Sequence, residues 1–102
     1  MTHSRISIPK DKLGEFCHRH HIRKLSLFGS VLRDDFRPES DVDVLVEFEP
    51  GRVPGFIHLY QLEEELSGLL GGRKLDLITP KFLNRWMRAR VLAEAEVQYA
   101  VG

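Results

Sequence analysis

Three aspartates in this chain have the spacing expected of carboxylates that work together. Asp41 and Asp43 lie two positions apart in the alternating run Asp41–Phe48, so both side chains leave the same face of a strand. Asp76 lies on a second strand-like run, at positions 73–78, on the side away from its apolar face. If these strands are neighbours, three carboxylates converge. Close carboxylates repel unless a cation lies between them, and Mg²⁺ prefers oxygen ligands. The spacing therefore predicts one or two Mg²⁺ ions, which suit an in-line phosphoryl displacement.

A phosphate-binding turn is predicted upstream, at Gly29 and Ser30. A strand from Ile22 to Phe28 should end there, and a short helix should begin at Ser30. Glycine lets backbone N–H groups approach a phosphate closely, and a helix N-terminus adds free donors. Ser30 offers a hydroxyl, and Arg33, one turn later, offers a positive charge. A Gly-Ser pair alone is usually a turn, and alternating aspartates alone are usually a solvated strand face. The prediction therefore rests on the combination of the Gly-Ser pair with the three strand aspartates.

The elements that must hold these residues follow from hydrophobic periodicity. We expect helices at Pro9–His21, Phe56–Leu70 and Pro80–Ala95, and strands at Ile22–Phe28, Asp41–Phe48, Arg73–Ile78 and Val97–Val101. This order predicts an α/β (α+β) fold, a small mixed sheet with helices packed against it. The middle helix should bury Leu59, Leu62, Leu66 and Leu69, with Glu63 to Glu65 in solvent. The last helix should bury Phe82, Leu83, Trp86, Met87 and Val91.

Composition narrows the class of protein. The 102 residues predict a single domain, 1–102, with 15 basic and 15 acidic residues and a formal net charge of zero. A dedicated nucleic-acid binder usually carries a basic excess, so no direct nucleic-acid contact is expected. A single cysteine, Cys17, excludes a disulfide framework within the chain, and no apolar run has the length of a membrane helix. We expect a cytoplasmic protein with no membrane contact.

Two further patterns have ordinary explanations. His18, His20 and His21 with Cys17 could suggest zinc, but they point in different directions from one helix, so we favour a polar helix edge with His20 partly buried. Three arginines at 85, 88 and 90 beside Trp86 could form an RNA patch. The zero net charge favours a solvated helix face over RNA binding. Binding of this helix to an acidic surface of a protein partner is an intermediate possibility.

The chain resembles the minimal nucleotidyltransferase family of the polymerase-β-like nucleotidyltransferase superfamily. The resemblance rests on the runs Leu27–Arg33 and Ser40–Val46, with further likeness at Lys74–Ile78 and in the tail Arg90–Ala95. It covers the chain from about Ile22 onward and implies a polymerase-β-like core. Asp34 departs from the family, in which many members have glycine after the arginine.

This resemblance implies roles for the site residues. Gly29 and Ser30 would hold the triphosphate, and Asp41 and Asp43 would ligate Mg²⁺. Asp76 would complete the metal site and help to activate the attacking hydroxyl. ATP would be the donor, with AMP transferred and pyrophosphate released.

The resemblance also implies a partner. Similar proteins are commonly paired with a HEPN-domain ribonuclease toxin, and they act as antitoxins by adenylylating a tyrosine of that toxin. A heteromeric complex is therefore expected. Two alternatives stay open: a catalytically silent antitoxin that neutralises its toxin by binding alone, and an enzyme that modifies a small molecule such as an aminoglycoside. The second ranks last, because those enzymes generally carry an added acceptor domain.

Overall fold

The fold was analysed in a computed structural model, which describes residues 8–29 and 41–101. The described residues form three α-helices, α1 (Lys10–Arg19), α2 (Phe56–Leu69) and α3 (Arg85–Glu94), and four strands. The strands are β1 (Ile22–Phe28), β2 (Val42–Phe48), β3 (Leu75–Ile78) and β4 (Glu96–Ala100), and a short 3₁₀ turn at Pro80–Phe82 follows β3. The mixed α/β architecture expected from the sequence is confirmed.

The four strands form one sheet in the order β3-β2-β1-β4. Strand β1 pairs antiparallel with both β2 and β4, whereas β2 and β3 run parallel. A parallel pair needs a crossover connection, and α2 provides it. The start of β2, the start of β3 and the end of β1 therefore meet at the same end of the sheet.

One face of the sheet is apolar and covered by α1 and α2. The even positions of β2 from Val42 to Val46 are fully buried, as the alternating pattern predicts. Helix α2 buries Leu62 and Leu66, while Leu59 and Leu69 pack partly against the core. The core also includes Leu13, Phe16, Leu25, Leu27 and Leu75.

The two covering helices are also joined by polar contacts. Glu65 of α2 accepts a hydrogen bond from Arg19 at 2.5 Å, and its other oxygen lies 3.1 Å from His20 Nε2. The His20 ring also packs against Phe16, with ring centroids 5.0 Å apart. Glu65, which was expected in solvent, is therefore partly covered and paired, because α1 approaches that edge of α2. His20 is partly buried, as expected, and Cys17 is buried in the core.

The last helix differs most from its prediction. One helix was expected from Pro80, but the chain breaks at Leu83, whose φ and ψ of −95° and 135° are extended. Asn84 then caps α3 by accepting a hydrogen bond from Met87 N at 2.8 Å. Restarting the helix turns its apolar residues outward: Trp86 is 86% exposed and Met87 51% exposed. Of the expected inner residues with a described side chain, only Leu83 is buried.

No helix in the described ranges is both long enough and apolar enough to span a membrane.

Candidate active site

The aspartates lie on the face of the sheet opposite the core. In the parallel pair Asp43 is level with Asp76, and in the antiparallel pair Asp43 is level with Phe28. Neighbouring strands are about 4.8 Å apart, so Asp43 and Asp76 are adjacent on the same face. Asp41 directly precedes β2 and is exposed, and the N–H of Val42 next to it donates to Lys74 O at 3.0 Å. The backbone thus places all three aspartates at one end of the sheet.

Gly29 lies at the same end of the sheet, directly after β1, the neighbour of β2 on the side opposite β3. It follows the last residue of β1 and has a φ of 77°, which side-chain-bearing residues rarely adopt. A Cβ at this position would overlap the Asp43 carboxylate. The backbone conformation therefore favours glycine, and any larger residue would push the Asp43 carboxylate aside. The structure joins the predicted phosphate turn to the predicted metal-binding strand at this contact.

A groove lies between α2 and β3, and Asp76 forms part of its wall. It has a volume of about 730 Å³. We call it the α2–β3 groove, and its wall is formed by Asp41, Tyr60, Glu63, Glu64, Ser67, Gly68, Gly72, Lys74, Leu75 and Asp76. Two of the three predicted aspartates therefore open directly into a cavity large enough for a substrate group.

Burial and nearby carboxylates change the ionisation of Glu63 in the groove. Partial burial raises the pKa of Glu63 above its ordinary value of 4.5, and the negative charges of Asp76 and then Glu64 raise it further. A second negative charge is thus already disfavoured beside Asp76. Glu63 lines the groove together with Asp76, although the helical pattern alone indicated a solvated residue.

The donor set fits a hard cation such as Mg²⁺. Asp41, Asp43 and Asp76 offer only carboxylate oxygens, which suit Mg²⁺ better than they suit softer metals. Their side chains are not gathered around one point: in ranges 8–29 and 41–101 no trio of histidine, cysteine, aspartate or glutamate side chains stands ready to hold a metal ion. Asp43 leans toward Gly29 instead. Since like charges repel, a cation is what would draw the three carboxylates together.

Two predicted nucleotide-binding residues, Ser30 and Arg33, lie outside the described residues. Sequence reasoning missed the contributions of Tyr60, Glu63 and Lys74 to the groove. Glu63 and Tyr60 lie at helical spacing on one side of α2, which was a usable signal. It did not show that this side of the helix borders β3.

Comparison with known proteins decides the family. The model of the nucleotidyltransferase domain matches residues 10–97. This chain belongs to the nucleotidyltransferase domain family. A protein adenylyltransferase, MntA, of Thermococcus cleftensis is 38% identical to this nucleotidyltransferase over 80 residues, covering 78% of each chain. A candidate protein adenylyltransferase of Methanocaldococcus jannaschii is 33% identical over 86 residues, covering 84% of this chain and 89% of that protein.

Solved structures place this nucleotidyltransferase among the minimal members of the family. A candidate minimal nucleotidyltransferase is 36% identical, with a TM-score of 0.69 over 84% of this chain and 85% of that one. A toxin–antitoxin structure with AMP-PNP gives a TM-score of 0.72 at 17% identity, over 92% and 75% of the chains. A complex of tri-AMPylated Shewanella oneidensis HEPN toxin with an MNT antitoxin gives a TM-score of 0.64 at 17% identity, over 90% of this chain and 70% of that one. The last two likenesses support the polymerase-β-like fold alone.

Proposed function

We propose that this nucleotidyltransferase transfers AMP from Mg²⁺-bound ATP to a hydroxyl of a partner protein. The observation that carries the proposal is the row formed by Gly29, Asp43 and Asp76 across three neighbouring strands. It sets a turn suited to phosphate beside carboxylates suited to a metal. The names of the relatives, which include protein adenylyltransferases, support a protein acceptor.

Each residue of the row has a task in this reaction. Gly29, with Ser30 and Arg33 beyond the described residues, would cradle the β- and γ-phosphates through backbone N–H groups and a positive charge. Asp41, Asp43 and Asp76 would hold the metal, whose positive charge offsets the charge that develops on the phosphates. Asp76, next to the groove, would also take the proton of the attacking hydroxyl.

The bonds of the transfer balance without another reactant. The acceptor oxygen forms a bond to the α-phosphorus of ATP as the bond from that phosphorus to the β-phosphate oxygen breaks. Pyrophosphate leaves, and the hydroxyl proton passes to a carboxylate. The protein's contribution is positioning and electrostatic stabilisation, which suits aspartates that the backbone already places on neighbouring strands.

The proposed partner is a HEPN-domain toxin, with a tyrosine as acceptor and the chain acting as its antitoxin in a heteromeric complex. Its support is the fold shared with the antitoxin of the AMPylated HEPN complex and the relatedness to MntA. The aspartates and the glycine favour catalysis over neutralisation by contact alone, because a contact-only antitoxin needs neither the overlap-sensitive Gly29 nor its neighbour Asp43.

A transfer assay tests the proposal. The cognate HEPN protein is incubated with α-labelled ATP and Mg²⁺, and label on the protein is measured for the wild type and for the double variant Asp41→Asn with Asp43→Asn. We expect transfer by the wild type, none by the double variant, and no label on a partner whose acceptor tyrosine is phenylalanine. The exposed Asp11→Asn variant on α1 is the control and should transfer normally.

The silent-antitoxin alternative predicts a different result. The double variant would then protect cells from the toxin as well as the wild type does, and neither would label it. Protection that depends on both aspartates excludes that alternative.

A further inference from the structure

Helix α3 is exposed along its whole length. None of its ten residues is buried, and Val91 alone is partly covered. Asn84 caps the first turn of the helix. The Arg88 guanidinium donates to Pro80 O at 3.2 Å and to Leu83 O at 3.3 Å, which anchors the helix to the preceding turn. Helices of this length usually owe most of their stability to packing of an apolar face, so the uncovered surface of α3 suits a partner.

The surface of α3 carries large apolar side chains. Trp86 is 86% exposed, which is the largest value for any large apolar side chain in the described ranges, and Met87 and Leu92 are exposed as well. Exposed apolar side chains that lie together mark interaction surfaces. Tryptophan and arginine are among the residues that most often dominate the binding energy of a protein interface. In the sequence, Trp86 lies between Arg85 and Arg88, so α3 has this composition.

The charge around Trp86 indicates what kind of surface fits α3. Residues 80–93 contain no carboxylate, although the chain as a whole is neutral. They contain four exposed cations, Lys81, Arg85, Arg88 and Arg90. The first carboxylate after them, Glu94, lies 3.7 Å from Arg90 in an exposed pair, and such pairs are weak. A surface complementary to α3 is therefore acidic.

Helix α3 ends near the candidate active site. One residue separates α3 from β4, and Glu96 at the start of β4 is level with Leu27 of β1. Leu27 lies two positions before Gly29, at the end of the sheet that holds Asp43. No residue of α3 lines the α2–β3 groove, so the two surfaces are separate. A protein bound to α3 is therefore held next to the site of the proposed transfer.

We propose that α3 is a docking helix, whose Trp86 enters an apolar pocket on the partner protein while carboxylates around that pocket face Arg85 and Arg90. The inference deepens the proposed function and rests on it for the identity of the partner. Docking determines the affinity for the partner, and the residues proposed to hold the nucleotide and the metal take no part in it.

Two other occupants fit this surface less well. A second copy of α3 packed against the first would bring arginines of both copies together, and like charges across an interface cost affinity. RNA would meet the arginines through its phosphates and Trp86 by stacking. Met87 and Leu92 offer RNA neither a charge nor a stacking plane, and the chain lacks the basic excess of such binders. An acidic protein surface matches both the charge and the apolar side chains.

The exposure of these side chains allows them to be changed without unfolding the protein. Trp86→Ala removes the aromatic ring, and Phe56→Ala, at the 78% exposed first residue of α2, is its matched control. Arg85→Glu reverses a charge in the first turn of α3, where a carboxylate suits the helix dipole. Lys12→Glu makes the same reversal in the first turn of α1 and is the second control. Melting curves should show all four variants folded.

The experiment titrates the cognate HEPN protein into the wild type and each variant without nucleotide, and it follows the heat of binding. We expect Trp86→Ala to weaken binding by about tenfold or more, as at the centre of an interface. Arg85→Glu should weaken binding about tenfold at low salt, with the loss shrinking at high salt because the contact is ionic. Both controls should bind within about twofold of the wild type. In the transfer assay, the two α3 variants should raise the KM for the partner and leave kcat unchanged.

The outcomes distinguish docking from transfer. Wild-type affinity in Trp86→Ala overturns the docking proposal, and so does a larger loss in Phe56→Ala, which assigns the contact to α2. A dimer of the wild type that Trp86→Ala converts to a monomer in light scattering assigns α3 to a second copy, and binding of a short single-stranded RNA that needs Trp86 assigns it to nucleic acid. Either result also overturns the proposal.

Two further results concern the proposed function. Binding that depends on Trp86 without labelling of the HEPN protein by the wild type supports docking and contradicts AMP transfer. A wild type that neither binds nor labels the HEPN protein contradicts the proposed partner, and the docking proposal falls with it.

Discussion

The seven residues of β2 form two faces that differ in burial and in charge. Val42, Val44 and Val46 face α1 and α2 and are fully buried. Asp43 and Glu47 face the other way and stay partly exposed, at the two ends of a face whose middle residue, Leu45, is buried. The apolar face stabilises the fold by burial, whereas the polar face places like charges side by side, which costs stability. The proposed active site uses the end of this polar face at Asp43.

The largest expected effect is on the polar face. Asp43→Asn should lower AMP transfer at least about 1,000-fold, which corresponds to about 4 kcal/mol of transition-state stabilisation, because the amide loses the charge that a metal requires. Thermal stability should hold or rise slightly as repulsion from Asp76 disappears. Steady-state transfer rates and a melting curve check both parts.

Glu47→Gln supplies the control for that variant. Glu47 lies on the same face of β2 but at its far end, where it pairs with Arg23 at 3.4 Å. An exposed ion pair contributes about 0–1 kcal/mol, so stability should change little and transfer should be normal. A loss of transfer in Glu47→Gln as large as in Asp43→Asn would mean that the whole face, rather than its Asp43 end, is needed.

On the apolar face the expected effect is on folding alone. Leu62→Ala on α2 should lower the free energy of unfolding by about 3 kcal/mol, because it leaves a cavity against the core. Leu92→Ala on α3, where the side chain is 45% exposed, should cost about 0.5 kcal/mol or less. Urea denaturation measures both. Similar losses would show that α3 contributes to the core as α2 does.

Gly29 joins the two regions, and its replacement should affect both. Gly29→Ala forces a side chain into a left-handed backbone conformation at a cost of about 1–2 kcal/mol. It should also displace the Asp43 carboxylate, so transfer should fall by about tenfold to 100-fold. In contrast, Gly14→Ala within α1 should raise stability by about 0.5–1 kcal/mol, because alanine favours the helix. Unaltered transfer in Gly29→Ala would contradict the close approach to Asp43.

The smallest expected effect depends on pH. The pKa of Glu63 is raised in the folded chain, so its protonated form is favoured there and its contribution to stability is lost as pH rises through that pKa. Glu63→Gln should therefore melt about 1–2 °C higher than the wild type at pH 7, and the difference should vanish as pH falls below the ordinary value of 4.5. The exposed Glu15→Gln variant should show no such trend.

Local periodicity predicted much of this molecule. Strand β1 has the predicted bounds, β2 and α2 differ from theirs by one residue, and the polar side of Asp41, Asp43 and Asp76 is as expected. The prediction of one helix from Pro80 was wrong, because Asn84 accepts the hydrogen bond from Met87 N and restarts the helix in a new orientation. An asparagine ahead of a helical run was a usable capping signal.

The sequence by itself determined which residues share a face and where the backbone needs glycine, since both depend on neighbours a few positions away. Only the tertiary structure decided that Asp43 is level with Asp76, that Gly29 meets Asp43, and that Glu63 borders Asp76. Those relations join residues that are distant in the chain, and the packing of α2 across the sheet sets them. Alternation within a strand assigns a side chain to a face, but strand register and helix packing determine its neighbours.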